Sequence, residues 1–88
     1  MLFVTKYTTA PATRDLGVER FKKTGGPPPA GVKMIGRWHM ADGSGGIIIC
    51  ETDDATRLAA WVNDRTDVLV FDTRPVLTDE QMAKVLGA

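Results

Sequence analysis

The chain has 88 residues, with eleven Lys and Arg balanced by eleven Asp and Glu. This length forms one domain over residues 1–88, and a single Cys and a single His rule out an internal disulfide and leave too few ligands for a structural zinc site. The zero net charge argues against nucleic-acid binding, and no apolar run reaches the ~20 residues of a membrane span. The first residues lack the basic region of a secretory signal and a lone thiol suits a reducing compartment, so we expect a cytoplasmic protein.

The first third of the sequence predicts a strand, a helix and a stiff loop. Residues 2–8 are rich in Phe, Val, Thr and Tyr, as in a strand. A helix beginning at Thr13 or Asp15 ends at residues 24–26. The following segment, Gly25–Gly31, contains three successive prolines, which exclude a helix or an interior strand. It is either a spacer or a loop that contacts a ligand.

Two strands joined by a tight turn are predicted in the middle of the chain. They cover residues 32–40 and 46–52, and the loop between them has strong turn residues. The second strand contains Ile47-Ile48-Ile49-Cys50. Because side chains alternate faces along a strand, this run must bury both faces of its sheet. The helices of so short a chain can cover only one face, so we expect a second copy to cover the other.

A helix, a strand and a short helix complete the predicted elements. The first helix begins at Ala55, and its apolar stripe has Trp61 at the border; the stripe is formed by Ala55, Leu58, Ala59 and Val62. Residues 67–73 form the fourth strand, and a proline shortly after it fits an edge position. Thr78 and Gln81 match a capping box for the last helix.

This order of elements predicts a ferredoxin-like α+β fold. Right-handed crossovers turn βαββαβ into a four-stranded antiparallel sheet with two helices on one face, followed by an extra C-terminal helix. Two such sheets packed face to face form a dimeric α/β barrel. We therefore predict a homodimer, with a cavity between the sheet and the helices of each protomer.

His39 and Arg37 are the candidate catalytic residues. His39 is the only histidine, and histidine is suited to proton transfer near neutral pH. Arg37 lies two residues earlier, hence on the same strand face, and can bind a carboxylate or stabilise an enolate. Alternatively, both residues belong to the solvated rim of an edge strand.

Trp38 and Tyr7 are candidate ligand-binding residues. Trp38 points away from its two neighbours, to a face that we assign also to Met34 and Met40, and it is either packed core or the flat wall of a pocket. Tyr7 shares a strand face with Phe3 and Thr5 and is expected to face the core. Its hydroxyl then needs a hydrogen-bond partner.

Glu51 is the third candidate ligand-binding residue. It shares a strand face with Ile47 and Ile49. A register that pairs His39 with Ile49 would place Arg37 opposite Glu51, as a structural ion pair or as an arrangement in which the carboxylate assists the histidine. The neighbouring thiol of Cys50 is expected to be buried and unreactive.

Several stretches resemble a small bacterial family, domain of unknown function 3303. They are Thr24-Gly-Gly-Pro-Pro-Pro-Ala-Gly31, Gly36-Arg-Trp-His39, the opening Met-Leu-Phe-Val, Tyr7, Asp53-Asp54 and Arg74-Pro-Val-Leu-Thr-Asp79. The resemblance spans nearly the whole chain and implies the dimeric α/β-barrel superfamily. Proteins of that superfamily include cofactor-free monooxygenases, isomerases and cyclases acting on small organic molecules, haem-handling enzymes, and proteins with no known chemistry.

We therefore predict a protein that binds a small organic ligand. It either acts on this ligand as a cofactor-independent isomerase, cyclase or monooxygenase, or binds it without catalysis. One alternative is a non-enzymatic interaction or accessory module whose sheet face mediates dimerisation. The other, which the resemblance implies, is a haem-handling protein with His39 as the haem ligand. No nucleic acid or membrane is an expected partner, and no metal or cofactor is required. A cavity of roughly 300 Å³ or more touching His39 would favour ligand binding.

Overall fold

The computed structural model describes residues 1–87. Its strands are β1 (Leu2–Thr9), β2 (Lys33–His39), β3 (Gly45–Glu51) and β4 (Leu69–Val76), and its helices are α1 (Arg14–Thr24), α2 (Ala55–Asn63) and α3 (Asp79–Val85). The order βαββαβ followed by a helix confirms the predicted ferredoxin-like α+β fold. Among the described residues, no helix is long and apolar enough to cross a bilayer.

The four strands form one antiparallel sheet in the order β2-β3-β1-β4. β4 lies at an edge, as predicted. It continues to Val76, beyond the predicted end at residue 73, and therefore includes Pro75, which pairs with Phe3. An edge strand tolerates proline, since one side of its backbone needs no ladder hydrogen bond.

The hydrophobic core lies between the sheet and α2. Its buried side chains are Phe3, Val32, Ile48, Cys50, Leu58 and Trp61. In α2, Leu58 and Trp61 are buried, whereas Ala55 and Ala59 are exposed. The prediction is therefore wrong for Ala55 and Ala59. The buried face of α2 is rotated toward Trp61, whose large apolar surface gains more from burial than an alanine does.

A β-bulge at Ile35 changes which residues of β2 share a face. Met34 pairs with Cys50, but Gly36 pairs with the next residue of β3, Ile49, so Ile35 is an extra residue. Met34 consequently faces the core, whereas Trp38 faces the opposite side of the sheet. The prediction that Met34 and Trp38 share a face is wrong, because it assumed unbroken alternation along the strand.

The sheet face opposite the core is not covered by α1 or α2. Its centre is apolar and half-buried, formed by Val4, Ile47 and Ile49. Trp38 and Val70 on the same face are 59% and 64% exposed. The indole of Trp38 lies over Gly36, where a Cβ would clash with the ring. We call this surface the open face.

Polar contacts attach α1 to the rest of the domain, and none of its residues is buried. The Thr13 hydroxyl, just before α1, donates to the carbonyl of Val68 at 3.0 Å. Arg20 forms two hydrogen bonds to the carboxylate of Asp67, at 2.9 and 2.5 Å. Gly25 follows the last residue of α1 and terminates the helix with a φ of 70°, in the left-handed region that favours glycine.

Candidate functional site

A cavity of about 400 Å³ lies between α1 and the core-facing side of the sheet. Its walls are largely apolar and include Val18, Phe21, Ile48, Trp61, Val68 and Phe71. The polar side chains Tyr7, Arg37 and His39 line the same cavity. An apolar pocket with a few convergent polar groups is the usual form of a small-molecule site.

Tyr7, Gly46 and His39 form one row across three neighbouring strands. Gly46 of β3 pairs with Tyr7 of β1 on one side and with His39 of β2 on the other. A Cβ on Gly46 would lie 2.5 Å from the Tyr7 hydroxyl. The missing side chain therefore leaves the space through which the Tyr7 ring reaches His39.

The Tyr7 hydroxyl is hydrogen-bonded to Nδ1 of His39. Burial raises the pKa of Tyr7 above its ordinary value, and the positive charge of Arg37 lowers it by a smaller amount. Tyr7 is thus a neutral phenol near pH 7, and when its O–H donates to Nδ1, the imidazole carries its own hydrogen on Nε2. His39 is exposed at the cavity mouth and can exchange protons with water.

Arg37 lies two residues before His39 on the same face of β2, opposite Ile48, and is partly buried. Its Nη1 donates to the carbonyl of Gly26 and its Nη2 to the carbonyl of Gly25, both at 2.7 Å. These carbonyls follow the C-terminal end of α1, where a cation is favourable. Arg37 therefore fastens the end of α1 to β2, using two of the five N–H donors of its guanidinium.

Trp38 and Glu51 lie on the open face and do not line this cavity. The observed register pairs His39 with Gly46, which places Arg37 opposite Ile48; Glu51 instead pairs with Lys33. The conditional register that would have joined Arg37 to Glu51 is therefore not the one in the structure. Tyr7, Arg37 and His39 are brought together, whereas the other two candidates are separated from them by the sheet.

Phe21 is a site residue that the sequence interpretation did not assign. Its ring packs edge-on against His39, with centroids 5.3 Å apart, and the Arg37 guanidinium carbon lies 5.0 Å from its centre. Phe21 is the one aromatic residue of α1 and lies in its last turn, shortly before Gly25 and Gly26. That isolated aromatic position was the available signal.

Two further groups have limited chemical roles. The indole N–H of Trp61, a wall residue, is buried and has no hydrogen-bond partner among residues 1–87. Burial raises the pKa of the Cys50 thiol, which argues against a nucleophilic role. Within the described chain, no group of three or more His, Cys, Asp or Glu is placed to hold a metal ion.

Titration of Tyr7, the only tyrosine, tests this geometry. We expect the absorption of tyrosinate to appear with a midpoint above pH 10.0, because burial disfavours the phenolate. Arg37→Gln should move the midpoint further upward, since it removes a cation that stabilises the phenolate. Arg74→Gln, on the open face, is the matched control and should leave it unchanged. A wild-type midpoint at or below 10.0 would contradict the buried position.

Comparison with known proteins identifies the family of this chain. No curated protein and no solved structure matches it. The family model described as Domain of unknown function (DUF3303) matches residues 1–88, the full length. The resemblance noted in the sequence is confirmed at the level of the family, and the chain belongs to the DUF3303 family.

Proposed function

We propose that this protein binds a small organic molecule in the cavity beneath α1 and that the Tyr7–His39 pair exchanges a proton with it. The observation that carries the proposal is the cavity of about 400 Å³, which includes His39 in its lining. This volume lies within the ~300–1,000 Å³ of typical ligand pockets. Its apolar walls favour an organic body, and Tyr7, Arg37 and His39 supply polar groups that can interact with it.

This arrangement supports chemistry that needs no cofactor. An isomerase, cyclase or monooxygenase of that type requires a base that removes a proton, a group that stabilises the resulting negative charge, and a site with little water. His39 is the acid/base group: in the tautomer that carries its hydrogen on Nδ1 and donates it to the Tyr7 oxygen, Nε2 has a free lone pair that can accept a proton. Arg37 is the group that stabilises an anion.

A haem-handling role for His39 is a separate hypothesis with less support. Nδ1 is hydrogen-bonded to Tyr7, which leaves Nε2 as the nitrogen that would ligate iron. Nδ1 would then carry the hydrogen and donate it to the Tyr7 oxygen, which would orient the ring as an acceptor commonly does for a ligating histidine.

We propose further that the open face packs against a second copy of the chain. Support comes from its apolar centre and from the exposure of Trp38, with charged residues such as Lys6, Asp72 and Arg74 along one side. An apolar centre with a polar border is the usual composition of a protein interface. The exposed Trp38 also supports the alternative, an accessory module that uses this face for another protein. The cytoplasm remains the predicted location.

Fluorescence of bound 2-naphthol tests the proposed proton transfer. The excited state of 2-naphthol releases its proton to a nearby base and then emits at longer wavelength. In mildly alkaline buffer, we expect the bound probe to emit as naphtholate, because His39 accepts the proton. His39→Gln should abolish this emission while changing Kd by less than about tenfold, the effect of one neutral hydrogen bond.

Lys6→Gln, on the open face, is the matched control and should behave as the wild type. Amide chemical shifts should place the probe near Tyr7 and Phe21. Absence of binding, or binding confined to the open face, would refute the proposed cavity function. Binding in the cavity with naphtholate emission unchanged by His39→Gln would refute the acid/base role alone.

Sedimentation velocity tests the proposed homodimer. The wild type should sediment as a dimer at micromolar concentration. Trp38→Glu should raise the dissociation constant of the dimer by about tenfold or more, because it places a charge in an apolar interface. Leu16→Glu, a change at an exposed position of α1, should leave the dimer intact. A monomeric wild type would contradict the homodimer and favour the accessory module.

A further inference from the structure

We propose that the ligand is an organic monoanion, an apolar ring-sized body with one carboxylate, and that Arg37 binds the carboxylate. This inference rests on the proposed function, because it names the class of molecule that the cavity takes. It depends on how charge is distributed around the cavity.

The charged residues in the cavity lining are all basic. Among the described residues that line it, the positively charged ones are Arg14, Arg20, Lys22, Arg37 and Arg65, and none is acidic. The whole chain has equal numbers of basic and acidic residues. The lining is therefore strongly biased toward positive charge in a protein that has no net charge.

Four of these five cations have a carboxylate nearby that lies outside the lining. The pairs are Arg14–Asp15 at 3.7 Å, Arg20–Asp67 at 2.5 Å, Lys22–Glu19 at 3.6 Å and Arg65–Asp64 at 4.0 Å. Arg37 forms no ion pair within residues 1–87. Its partners, the carbonyls of Gly25 and Gly26, orient the guanidinium but do not neutralise its charge.

The charge of Arg37 acts on the acidic groups around it. Burial raises the pKa values of Tyr7 and Cys50, and in both cases Arg37 is the cation that lowers them in part. These two residues lie in different strands, β1 and β3. A negative charge placed in the cavity would be stabilised by the same cation, and more strongly than in water because the walls are apolar.

The position of Arg37 also fits a carboxylate attached to a ring. Arg37 and His39 both pack against Phe21, at 5.0 and 5.3 Å from its ring centre. A flat organic body can lie against the apolar wall while its carboxylate receives the remaining N–H donors of the guanidinium, which match a carboxylate in geometry. One unpaired cation favours one negative charge. Tyr7 and His39 then lie beside the body of the ligand, where the proposed proton transfer takes place.

Binding of matched probes tests this inference. We would measure Kd by isothermal titration calorimetry for 2-naphthoate and 2-naphthamide, which share a ring and differ in charge. In mildly alkaline buffer, naphthoate should bind about tenfold or more tightly than naphthamide, because it gains a charge-assisted hydrogen bond. Arg37→Gln should abolish this preference while naphthamide binding is retained. Arg74→Gln, the same substitution at an ion-paired arginine on the open face, should keep it.

The outcomes separate this inference from the proposed function. Equal affinity of the wild type for both probes would refute the monoanion, while the cavity function would stand. No binding of either probe would refute both. Since Arg37 also fastens α1, Arg37→Gln must retain the wild-type circular dichroism; Arg37→Lys, which keeps the charge, should retain part of the preference. The wild-type comparison decides whether the ligand is an anion even if both variants unfold, and a folded Arg37→Gln that kept the preference would refute Arg37 as the partner of the carboxylate.

Discussion

Polar contacts attach α1 to the rest of the domain, and the helix has no buried side chain. The candidate site depends on this attachment. Thr13 and Arg20 hold the helix to residues that precede β4, and Arg37 holds its C-terminal end to β2. A helix with a continuous apolar stripe would instead pack directly on the sheet. Because α1 is fastened mainly by these contacts, an apolar space remains beneath it, and that space is the candidate site.

The two faces of the sheet have different environments because of one strand. In β3, Ile48 and Cys50 face the helices and are buried, while Ile47 and Ile49 face the other way and are only half-buried. Strand alternation thus divides an apolar run between a core and an open face. The cavity function and the proposed dimer therefore use opposite sides of the same sheet, and a substitution on one side can be made without touching the other.

The sequence predicted the fold and part of the site, for identifiable reasons. Element order and crossover handedness determined the topology, and simple alternation correctly placed Arg37 and His39 on one face and directed Tyr7 to the core. Trp38 was assigned wrongly relative to Met34 because a single extra residue, Ile35, reverses the alternation. The glycine beside it, Gly36, was the available signal, because an isolated glycine inside a strand often marks a bulge.

The remaining features depend on contacts that sequence periodicity does not contain. The pairing of Tyr7 with His39 follows from the registers of β1 with β3 and of β3 with β2, which are set by tertiary packing. The role of Arg37 at Gly25 and Gly26 likewise requires knowing where α1 ends relative to the sheet. Basic residues around the cavity come from α1, β2 and the segment after α2, so their grouping becomes visible only in three dimensions.

Native-state hydrogen exchange tests most directly whether α1 is held by polar contacts above an open space. The amides of α1 should exchange far faster than those of α2 and β3, since no buried side chain of α1 must be exposed for the helix to open. Saturation with 2-naphthoate should slow exchange in α1 selectively. Exchange in α1 as slow as in β3 without any ligand would show that the helix is packed tightly on the sheet, and would contradict both the attachment and the cavity.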